Sequence, residues 1–253
     1  MARLRDPDGG CPWDLAQTPA TIVPHTLEEA YEVGEAVAAG DAGMIQAELG
    51  DLLFQVVFQS RLAEESGKFD FDAVARAIGD KLLARHPHVF GETEFADDHE
   101  RDLAWESAKA DERRARERHS AMDDIPLALP ALARAAKLQR RARRVGFDWD
   151  RAAMVVDKIR EEIEEVQAEF EQGQDLRRLT DEVGDVLFAV VNWARHLGVD
   201  PETALRGSNR KFERRFRAME ALAETRGERL TGQGLAELDR LWNEVKRSEE
   251  PSG

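Results

Sequence analysis

Glu161-Glu162-Ile163-Glu164-Glu165, followed in the chain by Glu182-Val183-Gly184-Asp185-Val186-Leu187, is the stretch that decides the fold. Glu161 and Glu165 stand four apart, and Glu162 and Glu165 three apart, so on a helix their side chains share one face. Glu182 and Asp185 repeat the three-residue spacing. Val183, Val186, Leu187, Val190 and Val191 then follow the i, i+3, i+4, i+7, i+8 pattern of an amphipathic helix. This stripe is predicted to face a core, with the acids at its edge. Two such helices packed antiparallel would bring four or five carboxylates to one point.

The same arrangement occurs earlier. Glu28, Glu29 and Glu32 precede Glu161, Glu162 and Glu165 by 133 positions, and Glu48, Gly50 and Asp51 precede Glu182, Gly184 and Asp185 by 134. Leu49, Leu52, Leu53, Val56 and Val57 form the matching stripe. Lys81 and Arg85 reappear as Lys211 and Arg215, and Trp105 and Lys109 as Trp242 and Lys246. Ordered features at nearly constant offsets mark a duplication. Strand alternation is almost lacking, so the expected fold is all-α with two tandem helical domains. The nine prolines gather at apparent boundaries. The mixed-charge segment Asp111 to Arg118 and Pro126 and Pro130 place a linker at 119–130, between domains at 1–118 and 131–253.

Carboxylates this close repel one another unless a cation neutralises them. An all-oxygen donor set without Cys or His suits Mg²⁺, or Mn²⁺, better than Zn²⁺. The metal set predicted from the pattern is Glu162, Glu165, Glu182 and Asp185 in the second half, with Glu161 beside them, and Glu28, Glu29, Glu32, Glu48 and Asp51 in the first. A single Glu on a helix is usually just part of a solvated face, and Thr26 and Glu29 have capping-box spacing. The second half carries no such cap, so capping does not explain Glu162. A di-iron bundle needs Glu-x-x-His pairs, and none of the six histidines has a Glu three residues before it.

Lys211 and Arg215, like Lys81 and Arg85, lie one turn apart and can reach phosphate oxygens from one face. Trp242 with Lys246, and Trp105 with Lys109, could cover a base and reach phosphate; the tryptophans are equally suited to core packing. Lys158 and Arg178 have no cationic counterpart of permanent charge in the first half, where His25 and Met44 stand. The second half is therefore expected to be the more active. Arg140, Arg141, Arg143 and Arg144 read as a solvated helix face, His86-Pro87-His88 as a turn ending a helix, and Cys11-Pro12-Trp13-Asp14 as an N-terminal turn.

The formal charge of −15, from 36 Lys and Arg against 51 Asp and Glu, argues against a nucleic-acid polymer as partner. A small phosphorylated ligand remains compatible, because a bound metal reverses the local sign. One cysteine, Cys11, fits a reducing cytoplasm. Arg3, Arg5 and Asp6 interrupt any signal-peptide core, and the apolar runs are too short for a membrane span.

Leu4-Arg5-Asp6-Pro7, Gly10-Cys11-Pro12-Trp13-Asp14, Glu48-Leu49-Gly50-Asp51-Leu52-Leu53-Phe54, Arg85-His86-Pro87-His88-Val89-Phe90, Val145-Gly146-Phe147-Asp148-Trp149 and Lys211-Phe212-Glu213-Arg214-Arg215-Phe216 together resemble the MazG family of tandem-domain nucleoside triphosphate pyrophosphohydrolases. The resemblance implies four-helix-bundle active sites completed by dimerisation, hence a homodimer. It also implies Mg²⁺-dependent attack of water on the α-phosphorus, with broad base tolerance and a housecleaning or stress-linked role. By position, Glu161, Glu162, Glu165, Glu182 and Asp185 would hold Mg²⁺ and orient water. Lys158, Arg178, Lys211, Arg215, Trp242 and Lys246 would hold the nucleotide, as would Lys81, Arg85, Trp105 and Lys109 in the first half. A non-catalytic helical regulator that binds nucleotide or metal is the competing expectation; a phosphohydrolase acting on a diphosphate or an alarmone is a third.

Overall fold

The structure is a computed structural model that describes residues 1–97, 100, 101, 104, 120–173 and 175–249. Trp105, Lys109, the segment Asp111 to Arg118 and residue 119 lie outside the described residues. Among those described there are helices and turns and no strand. The chain divides into two compact units, Met1–Ala115 and Arg116–Gly253.

The first unit contains α1 (Pro12–Ala16), α2 (Pro19–Ala39), α3 (Ala42–Glu65), α4 (Phe71–Arg85) and α5 (Pro87–Phe90). Helix α2 starts one residue after Thr18. The Thr18 hydroxyl accepts from the Thr21 N–H, and the Thr21 hydroxyl accepts from the Thr18 N–H. Thr26 therefore lies inside the helix, where its hydroxyl donates to the Ile22 carbonyl at 3.1 Å. The capping explanation of Glu29 fails with it. Pro24 also lies within α2 rather than at a boundary. Gly40 ends α2 at φ 72°, a left-handed conformation that a side chain would strain. Asp41 then caps α3, its carboxylate accepting from the Gly43 and Met44 N–H groups at 2.8 and 3.2 Å. A stop and a start placed side by side fold α2 back against α3. Ile22, Phe58 and Leu62 form the buried centre of this hairpin, with Trp13 and Phe54 edge-on to Phe58.

The second unit contains α6 (Ala131–Arg143), α7 (Ala152–Gln172), α8 (Leu176–His196), α9 (Pro201–Thr225) and α10 (Leu235–Glu249). Helices α7 and α8 form the second hairpin, α8 being capped by Asp175 on the Arg177 N–H at 3.0 Å. Helix α6 packs on α8 and α9, and α9 on α10. Met219, Ala223, Leu241 and Val245 are the buried centre between α9 and α10, with Trp242 packed against them. Arg141 is not on a solvated face: it is buried, and its guanidinium donates to the Ala121 carbonyl at 3.2 Å. Cys11-Pro12-Trp13-Asp14 leads into the short α1, and His86 joins α4 to α5.

The apolar stripes depart most from expectation. Leu53 is 55% exposed and Leu187 53%, and Leu49, Val56, Val183 and Val190 are exposed with them. Val191 is buried, and Leu52, Val57 and Val186 are half-buried. Helix α6 packs beside the α8 stripe, its Leu132 and Leu138 lining a hollow with Leu187 and Val191, yet most of both stripes stays exposed.

Candidate metal centres in two helical hairpins

Each hairpin lines up acids across its seam. On α2 and α3, Glu29, Glu48 and Asp51 each offer a carboxylate oxygen, all within 4.8 Å of one another. On α7 and α8, Glu162, Glu165 and Glu182 do the same. Each triad takes three of four positions related by the internal repeat, and the two omit different members. Glu32 stays outside the first triad, and Asp185, exposed on α8, outside the second.

Electrostatics push several of these carboxyls toward their neutral form. The Glu29 carboxyl is held above its ordinary value by burial first, then by repulsion from Glu32, Asp51 and Glu48. Glu48 is raised by burial and by Glu32 and Asp51. Glu165 is raised chiefly by its hydrogen bond to Glu162, with burial and the charges of Glu162 and Glu182 adding to it. Carboxylates held back from ionising by burial and by one another's charge are the donor set a hard divalent cation relieves. The residues present therefore fit Mg²⁺ or Mn²⁺.

The hairpins differ in the cation they bring. The Lys158 ammonium lies 2.7 Å from both Glu161 and Glu162, and the two acids raise its pKa. His25, its counterpart, lies 3.6 Å from the exposed Glu28. Glu28 and Glu161 thus stand beside the triads, Glu28 facing the His25 imidazole and Glu161 the Lys158 ammonium. Gln55 is a residue the sequence did not single out: it is buried on α3, its amide donates to Glu29 at 3.5 Å, and its carbonyl oxygen has no partner among the described residues.

The remaining cations are more dispersed. Arg178 pairs with Glu169 at 3.5 Å. Lys211 and Arg215 share a face of α9, but Glu249 holds Arg215 at 2.8 Å together with Arg214 at 3.0 Å. Trp242 is half-buried, its ring 5.3 Å from that of Phe212. Lys246 lines a surface hollow of about 490 Å³ with Arg240, Asn243 and Arg247. Among the described residues none of Lys211, Arg215, Trp242 and Lys246 makes a hydrogen bond or ion pair with the second triad. Lys81 and Arg85 lie half-buried on α4.

A duplicated helical hairpin with a carboxylate triad across each seam defines an all-α protein with two acidic centres. The pattern that describes the MazG nucleotide pyrophosphohydrolase domain matches residues 17–90 and 152–219, which contain both hairpins. The chain belongs to the MazG family. It is 52% identical over 250 residues to the nucleoside triphosphate pyrophosphohydrolase of Escherichia coli (strain K12), covering 98% of this chain and 95% of that protein. It is 40% identical over 250 residues to the nucleoside triphosphate pyrophosphohydrolase/pyrophosphatase MazG of Thermotoga maritima, covering 99% and 94%. With the nucleoside triphosphate pyrophosphohydrolase of Mycolicibacterium smegmatis it shares 40% identity over 138 residues, 54% of this chain and 42% of that protein.

Proposed function

We propose that this chain is a Mg²⁺-dependent nucleoside triphosphate pyrophosphohydrolase, converting a nucleoside triphosphate and water to the monophosphate and diphosphate. The Glu162, Glu165 and Glu182 triad across α7 and α8 carries the reading. Its membership in a family of nucleotide pyrophosphohydrolases supports it. Broad base tolerance and a housecleaning or stress-linked role are part of the same proposal, as is a cytoplasmic setting, suggested by the lone Cys11.

Glu162, Glu165, Glu182 and the neighbouring Asp185 would hold the metal in the second half; Glu29, Glu32, Glu48 and Asp51 would do so in the first. Bound there, Mg²⁺ supplies charge neutralisation for the phosphates and lowers the pKa of attacking water. The protein's share is positioning. Glu161 lies outside the triad and is exposed, so it is placed to orient a water molecule while Lys158 fixes its carboxylate. Lys158, Arg178, Lys211 and Arg215 supply cations for the triphosphate, with Trp242 and Lys246 beside the base and phosphates. Lys158 and Arg178 make the second half the main catalytic centre, since His25 and Met44 provide less permanent charge.

The exposed stripes on α3 and α8 support a homodimer in which each subunit covers the other's apolar face and completes a four-helix bundle. The domain limits of 1–118 and 131–253, joined by 119–130, belong to the same proposal.

Reaction of ATP in ¹⁸O-labelled water with Mg²⁺ tests the chemistry. Attack at the α-phosphorus places the label in AMP and leaves diphosphate unlabelled. Release of orthophosphate, or binding without either product, would overturn the reading in favour of a different phosphohydrolase or a regulator.

A further inference from the structure

The acids of the second triad sit mid-way along two antiparallel helices, so their alignment depends on register. A slip of one residue moves a helical side chain by about 1.5 Å along the axis and turns it by about 100°. Octahedral Mg²⁺ accepts oxygen ligands only near 2.1 Å. At one end of the α7–α8 hairpin only one residue separates Gly173, which ends α7, from Asp175, which caps α8. The other end has no turn, because the chain enters α7 from the loop after α6 and leaves α8 toward α9.

A buried ionic cluster closes that open end. Asp148, in the loop before α7, accepts a hydrogen bond from the Arg195 guanidinium and, at 3.1 Å, pairs with the His196 Nε2 at the last turn of α8. Its Oδ1 also accepts from the Trp149 N–H at 3.0 Å, and Arg143 Nε lies 3.8 Å from Oδ2. Arg195 donates to the buried Asn192 at 3.0 Å. The side chains of Arg195, His196 and Asp148 are only 8%, 12% and 14% exposed. The first unit ties the same two places with the charges exchanged. Arg5, ahead of α2, donates to Glu65 at the last turn of α3 at 2.7 and 3.0 Å, and also to the Asp14 and Gln17 carbonyls. Asp14 precedes Asp148 by 134 positions, the offset that relates Glu48 and Asp51 to Glu182 and Asp185.

We propose that Asp148 is a positioning residue for the second metal centre: its buried clamp on Arg195 and His196 locks the loop before α7 to the far end of α8 and so sets the register in which Glu162 and Glu165 face Glu182. The proposal rests on the reading of that triad as a metal centre. Buried ion pairs add little net stability, and their best-attested use is to specify register. The clamp acts over roughly 15 Å of helix, the ten residues from Ala152 to Glu162.

The test uses the full chain carrying Glu29→Gln and Glu48→Gln, so that one triad remains, with Mn²⁺ as probe and free Mn²⁺ followed by electron paramagnetic resonance. Adding Asp148→Asn should weaken Mn²⁺ binding at least tenfold while helicity by circular dichroism stays constant; Asp148→Glu should restore it to within about threefold. A residue that merely stabilised the fold would lower the melting temperature and leave the affinity of the folded protein alone. Affinity within twofold of the parent overturns the proposal. Should Asp148→Asn fail to fold, Arg195→Lys and His196→Gln replace it, and unchanged affinity in both overturns it equally. If the parent binds no Mn²⁺, the metal-centre reading fails and the proposal falls with it; if the parent binds and Asp148→Asn binds equally well, only the positioning role is lost.

Discussion

Lys158 Nζ lies 2.7 Å from Glu162 Oε1, so the buried acid of the second triad shares a permanent cation with Glu161. A metal arriving at Glu162 must share that carboxylate with Lys158 or displace it. The first hairpin offers only His25 at the matching position.

Lys158→Met should therefore act in opposite senses on metal and nucleotide. With the ammonium gone, Glu162 and Glu165 repel with less relief, so the metal-free protein should lose about 1 kcal/mol, a partly exposed pair being worth no more. The rise in melting temperature caused by Mg²⁺ should then grow, while KM for a triphosphate rises about tenfold. Calorimetry with and without Mg²⁺, together with steady-state kinetics, checks both.

The pH dependence of stability should differ between metal-free and Mg²⁺-loaded protein. Glu29, Glu48 and Glu165 have raised folded-state pKa values, so the folded state binds their protons more tightly than the unfolded chain does. Their ionisation thus destabilises the fold as pH rises through and above the ordinary value of 4.5. Asp148 and Glu65 are shifted down, Asp148 by Arg195 and His196 against its burial, Glu65 first by Arg5. Their contribution is present above the ordinary carboxylate range and is lost below it. Melting in EDTA should improve as pH falls toward the ordinary carboxylate value and collapse below it; with Mg²⁺ the first phase should vanish. Curves that coincide with and without Mg²⁺ would contradict this.

Leu187→Glu places a charge in the middle of the exposed stripe of α8, and Leu53→Glu does so on α3. Each should weaken the dimer by light scattering, because a charge buried at such a face has no partner, and Leu187→Glu, beside the second triad, should also cut turnover at least a hundredfold. A dimer that survives both substitutions would place its interface elsewhere.

Trp242 touches both the core and the proposed base site. Trp242→Ala should cost about 2 kcal/mol, less than a fully buried tryptophan, since the ring is half exposed. Trp242→Phe should keep most of that stability yet raise KM severalfold. Denaturant melts set beside nucleotide titrations separate the two roles.

The triads were legible because three- and four-residue spacings name a helix face, and because each face occurs twice. Glu162, Glu165 and Glu182 needed only that, plus an antiparallel hairpin. Thr26 and Glu29 carry capping-box spacing without capping anything, because Thr18 and Thr21 cap α2 without the acid of the usual signature. Apolar stripes reveal what avoids water, not what covers it, so Leu187 read as core though it is exposed. Gln55 stayed hidden because its counterpart, Ala189, breaks the repeat. The Asp148 clamp joins residues 47 and 48 positions apart, a tertiary pairing with no periodicity to announce it.

The most direct test of the central claim compares Glu162→Gln with Glu29→Gln, each incubated with the common nucleoside triphosphates and Mg²⁺, with diphosphate and monophosphate measured apart from orthophosphate. Glu162→Gln keeps the shape of a triad member while removing one charge, and should lower diphosphate release at least a thousandfold; Glu29→Gln should retain most of it. Full activity in Glu162→Gln would contradict a catalytic centre between α7 and α8.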